Sequence, residues 1–434
     1  MLLFPLLVAQ AHAFCGTFVA TDDAPTNAGS QVAIVKQAGI TTLTMANDVN
    51  GSVADFALVI PVPEVIQESA LHVVDPAIFA HIDGYSAARL VAYECEDFWN
   101  DQGDTSGDTG DTTDTDTDSD DTGVVIEGQY VVGEYDIVVL SASESTSLVA
   151  WLQSHGYNVP SESQALLNEY IAGGSYFLAA QVRADAGIEA GDVLSPLQVA
   201  YTDTAGSLPI RLGTLNSAGS QDLTIFSLTD SGNGTLAISN YPEAKVETDC
   251  MLPEGTSFGD HVDATLNAAF PADGQAHWVT EYSWDNGNCD PCTPDGTLTE
   301  EDLASLGFVP DYHYGYGYNF TRLHIRYTPE QASQDLVLYS TGIATNTQLR
   351  YIEYNHELED MFPICGLGMV NDPGSCPDTG EGGEAGDGSE TGDPADTASS
   401  ILAGGDGCGC EGGGAAGVLG GLVLLTMAGR VRRR

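Results

Sequence analysis

The chain has 434 residues, 42% of them hydrophobic, enough to bury one or two sizeable cores. Its formal net charge is -51, from 63 Asp plus Glu against 12 Lys plus Arg. A surface of that sign repels nucleic acid and anionic lipid, so no nucleic-acid partner is expected.

Residues 1–13 (MLLFPLLVAQAHA) form an apolar run ending in Ala11-His12-Ala13, an A-x-A cleavage pattern. They predict a signal peptide cleaved before Phe14, and the lack of a basic residue before the run places the expected translation start upstream. Cys15 would be the second mature residue, not the first, which argues against an N-terminal lipoprotein.

Residues 14–100 read as a β-rich N-terminal lobe. Residues 31–36 and 41–45 flank a turn at Gly39 and predict a hairpin. Residues 56–60 form a continuous apolar strand that Pro61-Val62-Pro63 is expected to end. A helix is predicted between Pro76 and Tyr93.

Residues 101–123 hold nine Asp and no basic or apolar residue. Such a segment has nothing to bury and repels itself, so it reads as a disordered insertion. Asp104-Thr105-Ser106-Gly107 copies an aspartic-protease signature, but that chemistry needs two carboxylates locked in a dry core. Asp114, Asp116 and Asp118 copy the start of a calcium loop, yet Ser119 stands where its Gly is needed and Val125 where its bidentate Glu is needed.

Residues 124–365 resume the fold, and the locally most consistent stretch is 135–182. It predicts a strand, two short amphipathic helices and a second strand. Ser141-Ala142-Ser143-Glu144 reads as a capping box, with Leu148, Trp151 and Leu152 on one face and Gly156 as the stop. Ser161-Glu162-Ser163-Gln164 repeats the pattern, with Leu167, Tyr170 and Ile171 as the apolar face and Gly173-Gly174 as the stop. Further strands are predicted at 209–215, 223–228, 278–284, 322–327 and 335–339, which makes the class α+β.

Residues 371–407 are a second acidic, Gly-rich segment with nine carboxylates and no basic residue. As a tether it would have a root-mean-square reach of roughly 30–37 Å. Residues 408–434 open on Cys408-Gly409-Cys410, run uncharged from Gly412 to Gly429, and end on Arg430, Arg432, Arg433 and Arg434. The uncharged span would cover about 27 Å as a helix, the lower limit for a bilayer core. A transmembrane helix with cytoplasmic arginines is therefore predicted.

Nine Cys in an exported chain predict disulfides. Cys15 and Cys95 sit at the two edges of the N-terminal lobe and are expected to be bridged. Cys289-Asp290-Pro291-Cys292 precedes a helix predicted at 297–306, an order superficially like a thioredoxin, where a helix N-terminus lowers the thiol pKa. A structural disulfide or turn clip is the favoured reading of that pair. Gly255-Thr256-Ser257-Phe258-Gly259 matches G-x-S-x-G, but Pro253 and Glu254 occupy the place of the strand that a nucleophile elbow needs. Arg322, His324 and Arg326 alternate along one strand face. They read either as an anion or carboxylate site or, preferentially, as salt bridges to the chain's own acids. No cofactor or metal set is recognisable: HExxH and phosphate-binding Gly loops are absent.

Two resemblances follow. Residues 14 to about 345 resemble the bacterial family termed domain of unknown function 2330. The residues that carry the likeness are Phe14-Cys15-Gly16, Phe56 through Pro61-Val62-Pro63, Arg89-Leu90-Val91 with Tyr93, Tyr135-Asp136, Leu140, Trp151-Leu152 with Gly156-Tyr157, Cys289-x-x-Cys292, and Thr321-Arg322-Leu323-His324 with Arg326-Tyr327. Ala88 replaces an expected Pro, and the 101–123 stretch looks like an insertion. That family has no established activity, so it implies no catalytic residue. Residues 408–434 are similar to the myxobacterial-type C-terminal sorting signal (MYXO-CTERM). That likeness implies cleavage by an intramembrane protease near Cys408 or Cys410 and lipid-mediated display on the outer-membrane surface.

The expectation is thus an exported α+β protein displayed on the cell envelope, a non-catalytic surface or binding protein whose ligand is unknown. The alternative is an extracytoplasmic enzyme, either a thiol oxidoreductase through Cys289 and Cys292 or a serine hydrolase through Ser257.

Overall fold

Two β-sheets face each other across one apolar layer, and helices cover their outer faces. The structure is a computed structural model. It describes residues 11–12, 16–20, 26–50, 56–96 and 124–369 (apart from 160–162, 184, 187–193, 203–205, 218, 272, 286–296, 311–316 and 360), together with 409–411 and 426–427.

In chain order the body begins with β1 (Thr17–Ala20), β2 (Thr26–Gln37), β3 (Ile40–Asn50), β4 (Phe56–Val62), β5 (Leu71–Val73), α1 (Ala77–Ser86) and β6 (Arg89–Val91). Beyond the acidic segment come β7 (Val124–Val132), β8 (Tyr135–Ala142), α2 (Ser145–Ser154), α3 (Ser163–Ala172) and β9 (Tyr176–Val182). The remainder includes β10 (Leu197–Thr202), β11 (Gln221–Asp230), β12 (Cys250–Met251), α4 (Phe258–Ala269), β13 (His277–Asp285), α5 (Glu300–Ser305), β14 (Tyr318–Tyr327), β15 (Thr347–Gln348) and β16 (Arg350–Ile352), and the short strands Ser207–Leu208, Leu236–Ile238 and Leu336–Ser340 form a small sheet of their own.

The larger sheet runs β15-β13-β14-β11-β2-β3-β10-β5, with the short strand Ala11–His12 pairing beside the start of β11. Neighbours along that path are antiparallel except β11 and β2, which are parallel. The smaller sheet runs β1-β4-β9-β8-β7 and is antiparallel throughout. Alternate residues point inward from both sheets: Val32 and Ile34, Leu223 and Ile225, Leu323 and Ile325 from one, Leu58 and Ile60, Ile137 and Val139, Leu178 and Ala180 from the other. This period of two is what lets one strand feed two layers. Each such fully buried aliphatic side chain contributes about 1.5–3 kcal/mol relative to exposure. On the outer face of the larger sheet, Phe226, Leu228, Tyr282 and Phe320 pack against Phe79, Ile82 and Tyr85 of α1. On the outer face of the smaller one, Val59, Leu140 and Phe177 pack against Leu148, Leu152 and Leu167 of α2 and α3.

The hairpin read around Gly39 is β2–β3, with Gln37 opposite Ile40 and both turn residues, Ala38 and Gly39, at positive φ. The strand-helix-helix-strand unit is β8-α2-α3-β9, and its two strands pair directly. The chain is a mixed α+β protein, rich in strands and poor in helices.

Several boundaries differ from expectation. The N-terminal strands do not form a lobe of their own, because β2 and β3 pair within the larger sheet beside β11 and β10, while β1 and β4 join β8 and β9 in the smaller. The strand ending at Pro61 continues through Val62, paired with Tyr176. The helix expected to reach Tyr93 ends at Ser86. There the Ser86 hydroxyl bonds back to the Ile82 carbonyl, and the buried Arg89 guanidinium takes the carbonyls of Gly84, Tyr85 and Ala87, closing the helix end. The capping box at Ser141 does not form. Ser141 belongs to β8 and donates to Glu127 of β7, while α2 starts at Ser145, whose amide is received by Asn168 of α3. The second box, at Ser161-Glu162, lies outside the described residues. The run at 209–215 is not a strand but contains the start of a 3-10 turn, Leu212–Asn216, and Asn216 bonds to Thr17 and Phe18 of β1. The helix expected at 297–306 is shortened to α5, which opens on a capping box of Thr299 with Asp302. The predicted transmembrane span falls almost wholly outside the described residues, and no described helix is long and apolar enough to cross a membrane.

Candidate functional site

The alternation of Arg322, His324 and Arg326 places all of them on the outer face of β14, opposite Phe226, Thr224 and Asp222 of β11. On the other side, the register of β13 against β14 shifts between Thr280 and Tyr282, leaving Glu281 as the extra residue of a bulge. A bulge re-aims the side chain it carries. Glu281 is thereby delivered to the same face as the cations.

The result is a chain of charge-assisted hydrogen bonds. Arg322 Nε donates to Glu281 Oε2 at 2.6 Å, and its Nη1 donates to Asp83 Oδ1 of α1 at 2.7 Å. His324 Nδ1 reaches Glu281 Oε1 at 2.8 Å, and its Nε2 reaches Asp222 Oδ1 at 2.6 Å. Asp222 Oδ1 also accepts from Arg326 Nε at 2.7 Å, while Arg326 Nη1 donates to Asn267 of α4 at 2.6 Å. Aromatic rings flank the row: Arg322 lies 5.4 Å from the Phe226 centroid, Arg326 lies 4.9 Å from that of Phe270, and Phe270 meets His324 edge-on.

Burial and pairing oppose each other at these groups, and pairing wins. Burial disfavours charge on His324, but the hydrogen bonds to Asp222 and Glu281 push its pKa up to about 9. Burial likewise penalises the Glu281 carboxylate, yet Arg322 and His324 hold it at about 2. Asp222 also stays below the usual carboxylate range: burial raises it, and His324 with Arg326 outweighs that. At neutral pH the ring is an imidazolium with both N–H groups engaged, so it has no lone pair with which to accept a proton. An external anion would have to displace Glu281, Asp83 or Asp222 to reach these cations. What the arrangement does is bind α1, α4 and three strands into one unit.

Among the described residues, no group of three or more His, Cys, Asp or Glu is placed to hold a metal ion. Ser257 is exposed and is the N-cap of α4. The segment 252–256 before it is not a strand, and His261, one turn on, packs its ring edge-on against Tyr351. Cys15, Cys289 and Cys292 lie outside the described residues. So do Cys408 and Arg430, Arg432, Arg433 and Arg434, while Cys95 and Cys410 are described for their backbone alone, in the short strands Glu94–Glu96 and Gly409–Glu411. The sequence reading did not anticipate the disulfide between Cys250 and Cys365, 115 residues apart with Cα atoms at 5.0 Å. Nor did it pick out Glu281, Asp222 or Asp83 as partners of the cations; only their charge and the strand alternation could have suggested them.

A family profile described as an uncharacterized protein conserved in bacteria (DUF2330) matches residues 9–339. No curated protein and no solved structure matches the chain.

Proposed function

The chain belongs to this family of uncharacterized bacterial proteins, and from that premise we propose that it is an exported protein, displayed on the cell envelope, that binds a ligand without transforming it. The observation that carries the export half is the buried Cys250–Cys365 bridge. Disulfides of this structural kind persist in oxidising compartments and are rare in the cytosol. The apolar run ending in Ala11-His12-Ala13 agrees with it. So does the tail, in which Cys408 and Cys410, an uncharged span and the terminal arginines follow one another. The binding half rests on how the polar groups on the sheet are used: Arg322, His324 and Arg326 are committed to the chain's own carboxylates. That pairing favours a scaffold role for the cations, with recognition on concave surface elsewhere.

The test is fractionation of native cells combined with thiol alkylation. Recovery in the envelope fraction, with Cys250 and Cys365 protected until a reductant is added, is the expected result. Recovery in the cytosol with both thiols alkylated would overturn the reading.

A further inference from the structure

A cleft of about 310 Å³ is lined by residues of both sheets, Leu43 and Tyr201 from the larger and Pro61 and Val62 from the smaller. Its lining includes Tyr170, Tyr201, Pro61, Pro63, Pro209 and Asp335. We propose that this cleft binds a small organic cation, an alkylated ammonium head group held by the Asp335 carboxylate among tyrosine and proline rings. The proposal rests on the reading of the chain as a binding protein and names the ligand class.

Asp335 is the group that decides the class. Its Oδ1 accepts the Tyr170 hydroxyl at 2.8 Å and the backbone amides of Ile210 at 3.0 Å and Arg211 at 3.1 Å, which fix the carboxylate in place. Its Oδ2 accepts no hydrogen bond among the described residues. The described lining residues include no Lys, Arg or His, and the nearest ammonium to Gly206, Lys36 Nζ, would lie 3.5 Å from a Cβ built there. The neighbouring Arg211 guanidinium is instead turned to Glu169, at 2.6 Å. A fixed, partly buried carboxylate that forms no salt bridge among the described residues, with the nearby Arg211 guanidinium paired to Glu169, favours a positive ligand.

The remaining walls suit the alkyl part of such a ligand. Tyrosine faces attract ammonium groups through the ring quadrupole, most strongly where water is excluded. Proline rings add apolar contact without a backbone donor that the ligand would have to satisfy. Gly206 sits at φ +59, and a Cβ there would run into the Leu338 carbonyl oxygen, so glycine is the residue that fits at that point of the lining. The volume is at the small end of ligand pockets, which favours a head group over an extended peptide. The net charge of -51 also raises the local concentration of cations around the whole molecule.

Isothermal titration of the full chain with choline, and with its neutral isostere 3,3-dimethylbutan-1-ol, tests the assignment. The salt should be about 0.15 M, so that loose condensation on the acidic surface is screened. Choline is expected to bind at least tenfold more tightly than the isostere. Asp335→Asn keeps an oxygen to accept the Tyr170 hydroxyl and the two amides, and it changes the total charge by one; it should weaken choline at least tenfold. Tyr201→Leu is the second variant and should weaken it as well, with a thermal melt confirming that each variant is folded. Equal binding of the isostere, no heat with choline or tetramethylammonium, or unchanged binding in both folded variants would each overturn the proposal. Preference for glucose over choline in the same cleft would overturn the cation assignment and leave the binding reading standing. A cytosolic, reduced protein that still binds choline through Asp335 would do the reverse.

Discussion

Glu281 Oε1 lies 2.8 Å from His324 Nδ1, although the strand register pairs His324 with Val279 and not with Glu281. The bulge makes the contact, and with Asp222 at 2.6 Å on the other ring nitrogen it makes His324 a titratable link between β11, β13 and β14. Because the folded-state pKa, about 9, is raised above the ordinary value of 6.5, the imidazolium contributes stability that is fully present below about pH 6.5. That stability is lost as pH rises through about 9. The whole effect is on the order of 3 kcal/mol. Glu281 acts at the other end: its depressed pKa contributes stability that is present above the ordinary carboxylate range and lost as pH falls through about 2. Thermal melts from pH 6 to 10 should show a decline that His324→Gln abolishes. A flat profile in the wild type would contradict the link.

Removing Glu281 should cost more than removing any exposed acid. Glu281→Ala leaves Arg322 and His324 buried with one carboxylate partner fewer each, and breaking a buried pair in this way typically costs about 3–5 kcal/mol. Denaturant unfolding measures the loss. The imidazole proton resonances of His324 should also report a lowered pKa in the variant, which a mere packing defect would not produce.

Reducing the Cys250–Cys365 bridge removes a cross-link that closes 115 residues of chain. In the chain-entropy model a loop of that length is worth roughly 4–5 kcal/mol, less any native-state strain. Cys250→Ala with Cys365→Ala is expected to lower the thermal midpoint by several degrees or more, while β2–β3 and the β8-α2-α3-β9 unit keep their secondary structure. An unchanged midpoint in the double variant would mean that the bridge adds no net stability.

If the proposed display is right, it depends on the cysteines and arginines of the tail. Replacing Cys408 and Cys410 together by Ser should block processing or release the protein to the medium. Each terminal arginine costs about 2.5–3.5 kcal/mol to carry into the bilayer, so the unprocessed tail would stay in the inner membrane. Surface protease shaving reads the outcome. Display that survives both the double substitution and the loss of Arg430, Arg432, Arg433 and Arg434 would exclude this mechanism.

What the sequence determined by itself is what short windows of chain encode. Ala38-Gly39 between two alternating runs specifies a hairpin, because the turn needs positive φ and the strands need a period of two. The 135–182 stretch specifies two helices between two strands through its spacing of Leu148, Leu152 and Leu167. The alternation of Arg322, His324 and Arg326 specifies that they share a face, and it does not say which acids they meet.

The tertiary structure decided the rest. Nothing near Glu281 announces that a register shift will aim it at His324, since a bulge is a property of two strands and not of one. Helix α1 reads as longer than it is, because the side chain that closes it, Arg89, lies beyond its end and is buried by the packing of other elements. Cys250 finds Cys365 because the parallel bridge of Met251 with Ile364, closed by the Cys365 amide on the Met251 carbonyl, brings two distant segments side by side. Local propensity acts over a few residues. Register, ion pairing and cross-linking are settled by which surfaces the whole chain can bury at once.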